Sequence, residues 1–170
     1  MEERLFVRVD DRFIHGQVAV KWVRHLRLRE IWIVDDALAK DSFMQGVYGA
    51  AAPPGTQVHV VATQQAAGSI AIPASRASPA LVLIRSPLVA VDLLQQGLPF
   101  SELNLGGLAA VPGATRLSKN VAVTPTQVEA LCTLVDAGIR VYIQMVPEEH
   151  RIEFDPTVAK GKAVPMNALR

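Results

Sequence analysis

Seven short β-rich runs recur along this chain with helical patterns between most of them, and that alternation restricts the fold more than any other feature. The runs fall at 5–9, 31–34, 58–62, 81–84, 103–105, 121–123 and 141–145, and the helical patterns at about 17–26, 39–51, 63–67, 88–96 and 126–137. Strands separated by helices need crossover connections, which place the strands parallel and the helices on both faces of the sheet. The expected fold is α/β: a single-domain, three-layer, open and mostly parallel sheet of about seven strands, spanning residues 1–170.

The punctuation agrees. Pro53-Pro54-Gly55 stops the second helical pattern, Gly97 and Gly138 follow two others, and Thr124-Pro125 opens the last as N-cap and first turn. The Pro-, Ala- and Ser-rich stretch 72–79 is too short for a linker, because apolar strand follows at once. Residues 108–119 carry few large apolar side chains and read as a hairpin or long loop near the sheet edge. After 152–154, read as an edge strand, the tail is expected to fray.

The chemistry concentrates early. In Val7-Arg8-Val9-Asp10-Asp11-Arg12-Phe13-Ile14-His15-Gly16-Gln17-Val18, a histidine sits at a strand-to-helix turn, with Val18, Trp22, Val23 and Leu26 sharing one face of the helix that follows. Free N–H groups at a helix start suit a bound phosphate, and Arg12 offers it a planar fork of donors. Arg8 lies inside an otherwise buried run, where a guanidinium is unfavourable without an anionic partner. Asp10 or Asp11 could be that partner, or could hold the His15 imidazole in one tautomer.

That segment, with Trp22, resembles the active-site signature of enzyme IIB of the mannose/fructose/sorbose family of the bacterial phosphoenolpyruvate-dependent sugar phosphotransferase system. Ile33-Val34-Asp35-Asp36 with Ala39 and Asp41, Ala51-Ala52-Pro53-Pro54-Gly55, Leu103-Asn104-Leu105-Gly106-Gly107 and Gln144-Met145-Val146-Pro147 resemble family features in the same order. The resemblance implies a phosphotransferase in which Nδ1 of His15 accepts a phosphoryl group from a phosphorylated enzyme IIA and passes it to a sugar held by membrane subunits IIC and IID. Arg12 and the backbone N–H groups of Ile14, Gly16 and Gln17 are the candidate donors to the phosphoryl oxygens, with Arg8, Asp10, Asp11, Asp35 and Asp36 in support. A glycine at 16 would leave room for a phosphate or a docking partner. The transfer calls for no nucleotide, metal or other cofactor. Asp35 stands where the family usually has Asn, so it would repel an incoming phosphate unless Arg8 or Arg12 pairs with it. Two other readings stay open: a regulatory module that reports phosphorylation state without transport, and an anion-binding domain whose histidine is never phosphorylated.

Composition narrows the partners. With 17 basic and 16 acidic side chains, a net charge of +1 gives no sign of a nucleic-acid partner. Seven basic residues against two acidic ones between Arg4 and Arg29 make the first strand and helix a basic block, from which Lys21 and Arg24 could meet an acidic partner surface. No uninterrupted apolar run reaches the ~20 residues of a membrane span, so a cytoplasmic chain reaching the membrane through partners is expected. Cys132 reads as a small core hydrophobe, and His25, His59 and His150 lack zinc-ligand spacing. Ligands of an open parallel sheet bind at the carboxyl ends of its strands, so if the second, fourth and fifth strands neighbour the first, Asp35, Asp36, Arg85, Ser86, Pro87 and an Asn104–Gly107 turn line one pocket rim with His15.

Overall fold

The computed structural model describes residues 5–70 and 79–163, with only the backbone described at Gln17, Val18, Lys162 and Ala163. The reading of 72–79 as a non-linker therefore lies, apart from Pro79, outside the described residues.

Runs such as β4 (Ala80–Ile84), buried at all five positions, find partners for every backbone group and cover for both faces only inside a parallel sheet. β4 pairs in parallel with β1 (Leu5–Asp10) on one side and β2 (Glu30–Val34) on the other. β3 (Gln57–Val61) extends the sheet beyond β2, while β5 (Glu102–Gly107) and β8 (Arg140–Ile143) extend it beyond β1. β9 (Ile152–Glu153) closes the row antiparallel to β8, so the order is β3-β2-β4-β1-β5-β8-β9.

Among the described residues, six helices cover this sheet. α1 (Gly16–Leu26) and α2 (Ser42–Ala51) lie on one face, where Ala19, Val23, Met44 and Tyr48 pack with Ile31, Ile33, Leu81 and Leu83. α3 (Thr63–Ile70), α4 (Pro87–Gln95), α5 (Pro125–Asp136) and α6 (Pro156–Ala163) cover the other, where Ile70, Leu93, Leu131 and Ala159 meet Val7, Val9, Val82 and Leu105. Cys132 is buried in that second core, as its neighbours in α5 implied.

The chain leaves β1 toward β2 on the α1 face and leaves β4 toward β5 on the α4 face. The carboxyl ends of adjacent strands β1 and β4 therefore feed connections that diverge, which is where open α/β sheets bind ligands.

The structure revises five expectations. Residues 121–123 do not join the main sheet: β7 (Ala122–Val123) pairs antiparallel with β6 (Thr115–Arg116) in a separate ribbon, and β9 is the seventh strand instead. The 108–119 segment is not at the sheet edge, because it leaves interior strand β5, and Leu108 bridges Val121 beyond the strand's end. Asn104–Gly107 is strand, not turn. The tail does not fray after 154: Phe154 and Ala159 bury their apolar surface and hold α6 beside α5. α2 also starts later than the pattern at 39 implied, since a 3-10 turn at Leu38–Lys40 precedes Asp41, which caps the helix by accepting from the Met44 N–H at 3.0 Å.

Candidate functional site

β1 carries Arg8 and Asp10 toward the α1 face. Arg8 is 1% exposed and donates to Asp10 Oδ2 at 3.1 Å, to the Gln144 carbonyl at 3.1 Å and to Asn104 Oδ1. Its guanidinium also lies 5.7 Å from the Trp22 ring centroid, and Trp22 donates to the Met145 carbonyl at 2.9 Å. Burial pushes the Arg8 pKa below its ordinary value, opposed chiefly by the charge of Asp10. The group stays cationic, since arginine does not lose its proton in proteins.

Gly106 makes room for this arrangement. A Cβ there would fall 1.9 Å from the centre of the Arg8 guanidinium, so β5 can pass the buried cation only as bare backbone. Gly106 thus has a steric reason that the local pattern does not reveal, while a Cβ at Gly107 would only press on Asp10 Oδ1 at 3.2 Å.

Asp10 is wholly buried and joins three groups. Besides Arg8, it accepts from the Arg12 N–H at 3.2 Å through Oδ1 and shares a 2.9 Å hydrogen bond with His15 Nε2 through Oδ2. The two roles left open for the aspartates therefore both belong to Asp10. Asp11 does neither: its carboxylate accepts from the Ala109 N–H at 2.7 Å and so ties the β1–α1 loop to the segment after β5.

His15 is the N-cap of α1 but uses extended backbone (φ −150°, ψ 142°) and makes no side-chain cap bond, which frees the imidazole for Asp10. With Nε2 committed, Nδ1 is the ring nitrogen without a partner among the described residues. Gly16 opens the helix at φ +48°, a conformation that favours glycine, with nothing within 4 Å of where a Cβ would stand. No acidic residue lies in the first turn of α1. An anion beside Nδ1 would meet free N–H groups and the positive end of the helix dipole there.

Two residues before His15, Phe13 also has positive φ, +56°, at a cost of about 1 kcal/mol or more for a bulky side chain. Packing holds it: the ring is buried, meets Tyr48 edge-on at 5.9 Å, and lies under the Arg85 guanidinium at 4.9 Å. Nothing in the local residue pattern signals this left-handed residue. Ile14 contributes its side chain to the α1-face core.

Arg12 is the exposed counterpart of Arg8, 55% accessible and 3.8 Å from Asp10. The partner of Asp35 is neither Arg8 nor Arg12 but Arg85, whose Nε donates to Asp35 Oδ2 at 3.1 Å; Asp35 also accepts from the Leu38 N–H. Asp36 accepts from the Thr63 N–H at 2.7 Å, a bond at the start of α3 rather than at His15. Lys21 pairs within the chain with Glu148 at 3.4 Å. The side chain of Gln17 lies outside the described residues.

Toward the α4 face, a cleft of about 750 Å³ opens between the ends of β1, β4 and β5, the β6–β7 ribbon and the start of α5. Its charged lining is Arg12, Arg85, Arg116 and Lys119 with Asp11. Arg12 thus borders both the His15 loop and the cleft. Arg116 and Lys119 lie in the aperiodic stretch whose placement the sequence did not give.

The family model for the sorbose-subfamily IIB component of the phosphotransferase system matches residues 4–168. Among curated relatives, the sorbose-specific EIIB component of Lacticaseibacillus casei is 33% identical over 139 residues, 82% of this chain and 85% of that protein. The mannose-specific EIIAB component of Escherichia coli is 28% identical over 90% of this chain but only 47% of its own length. Among solved structures, manxB from Thermoanaerobacter tengcongensis superposes with a TM-score of 0.83 and 32% identity, covering 96% of this chain and all of that one. With the whole sheet and the His15 loop inside the matched region, the chain belongs to the sorbose-subfamily IIB components of the sugar phosphotransferase system, a family of phosphotransferases in sugar uptake.

Proposed function

We propose that this chain is a phosphohistidine carrier, in which Nδ1 of His15 takes a phosphoryl group from a phosphorylated enzyme IIA and hands it to a sugar held by the membrane subunits IIC and IID. The observation that carries this reading is the 2.9 Å bond between His15 Nε2 and buried Asp10. A neutral imidazole has one N–H and one lone pair, and the carboxylate claims the N–H at Nε2, so the lone pair is at Nδ1. In transfer, that lone pair forms the new N–P bond as the bond to the donor's histidine breaks. The positive charge developing on the ring is met by Asp10. In the second transfer the N–P bond breaks as a sugar hydroxyl oxygen bonds to phosphorus, the hydroxyl proton passes to solvent or to a base of the membrane subunits, and the ring returns to its neutral form.

Such transfer passes through a loose transition state whose charge spreads over the phosphoryl oxygens, so fixed donors matter more than covalent help. The first-turn N–H groups of α1 and the exposed fork of Arg12 supply them. Arg85 holds Asp35 at 3.1 Å and so offsets the charge that replaces the family's usual Asn. An EIIAB relative, joining IIA and IIB in its name, supports a IIA-type donor. No helix among the described residues is long and apolar enough to cross a membrane, which is consistent with a cytoplasmic carrier that meets the membrane through its partners.

The test is phosphorylation of the full chain by a phosphorylated IIA of this family, with the label mapped. A single acid-labile, base-stable label on His15, absent from His15→Ala, is the expected result. No label with a donor that phosphorylates another IIB of the family would leave the anion-binding reading in its place.

A further inference from the structure

The cleft beside the His15 loop is far larger than a phosphoryl group and lies within the range of pockets that hold small organic ligands, roughly 300–1,000 Å³. Four cations and one carboxylate line it; the carboxylate, Asp11, is engaged with the Ala109 N–H, and of the cations Arg85 is held by Asp35, which leaves Arg12, Arg116 and Lys119. Arg116 and Lys119 have no carboxylate partner among the described residues; Arg116 instead donates to the Lys119 carbonyl at 2.7 Å, which sets both side chains on one turn of the β6–β7 ribbon. Arg12 has only its 3.8 Å contact with Asp10. A neutral sugar gains little from such a lining, whereas a dianion would satisfy several of these groups at once.

The remaining lining suits a hydroxylated body. Ser86 Oγ accepts from the Leu88 N–H and keeps its proton to donate, and Asn120 uses its amide N–H on Met145 Sδ, leaving its carbonyl oxygen as an acceptor. We propose that this cleft binds a phosphomonoester of hexose size, the product class of sugar phosphorylation. Because Arg12 borders both cleft and His15 loop, the bound ester withdraws Arg12 from the incoming phosphoryl group, so accumulated product slows loading of the carrier. The choice of a sugar phosphate rests on the carrier reading; the binding site itself does not.

Calorimetric titration of the unphosphorylated full chain tests it, with mannose 6-phosphate as probe, and orthophosphate and free mannose as controls. The ester should bind at least about tenfold more tightly than orthophosphate, some 1.4 kcal/mol, and free mannose should not bind. Arg116→Ser/Lys119→Ser should weaken the ester at least tenfold, and added salt should weaken it in the wild type. Lys119→Ser alone carries the comparison if the double variant loses its native circular dichroism. Orthophosphate as tight as the ester, no saturation by about 10 mM ester, or unchanged affinity in a folded variant would each overturn the proposal. No donor is present, so this result stands whether or not His15 ever accepts a phosphoryl group. A second arm adds the IIA donor: slower labelling of His15 in the presence of the ester supports the product brake, and unaltered labelling at saturating ester removes it.

Discussion

Arg8 and Arg12 flank the same carboxylate and are treated in opposite ways. Arg8 is 1% exposed, holds Asp10, Asn104 and Gln144, and passes over a glycine in β5. Arg12 is 55% exposed and touches Asp10 only loosely. Burial turns the first cation into a structural pin that fixes Asp10, and through it His15. Exposure keeps the second free to follow an anion. One aspartate thus separates the group that shapes the site from the group that can answer a ligand.

Removing the buried cation should have the largest effect on stability. Arg8→Leu leaves the Asp10 charge buried without its main partner and strips donors from Asn104 and the Gln144 carbonyl. Breaking a buried pair from one side costs about 3–5 kcal/mol, which a shift in the urea midpoint would show. A cost under about 1 kcal/mol would mean that water reaches Asp10 and that Arg8 is no pin. The sign matters, because replacing both charged partners together by apolar groups can be nearly neutral, and only the one-sided change exposes the dependence.

Gly106→Ala attacks the same pin from the other strand. The added methyl would coincide with the guanidinium, so Arg8 must leave its place or β5 must shift, at about 1–3 kcal/mol for an overpacked core. The melting temperature should fall by several degrees. If Arg8→Leu is made first, the alanine should cost much less, since the atoms that it meets are gone; additive losses would place the strain elsewhere.

The same contrast explains how much could be read in advance. The alternation of strands and helices and the Arg8-to-Gln17 loop are local in sequence, and they put parallel strands and His15 at the switch point. That Arg8 needs an anion followed from its position in an apolar run. That Asp10 rather than Asp11 supplies it did not, because the choice depends on which face each side chain takes at the irregularity where β1 pairs with β5 between Val9 and Asp10. Asn104 and Gln144 are 96 and 136 residues from Arg8, and Arg85 is 50 from Asp35, so those partners depend on strand order. Arg116 and Lys119 were hidden for a further reason: a hairpin and a short strand were legible at 108–123, but nothing local says that they fold as a separate ribbon over the end of β5, where they bring half of the cations in the cleft.

The smallest effect on stability should come from the exposed cation, and it sharpens the comparison most. At 3.8 Å and half in solvent, the Arg12–Asp10 pair is worth no more than about 0.5 kcal/mol after screening, so Arg12→Ala should leave the urea midpoint almost unchanged. Its N–H still donates to Asp10, because that bond belongs to the backbone. The rate of His15 labelling should nonetheless fall by about tenfold or more, the loss of one charged donor to the phosphoryl oxygens. Near-wild-type labelling by an intact fold would defeat the role given to Arg12 and pass the stabilisation of the phosphoryl group to the N–H groups of α1. A large loss of stability would instead make Arg12 a second pin, and the separation of roles around Asp10 would fall with it.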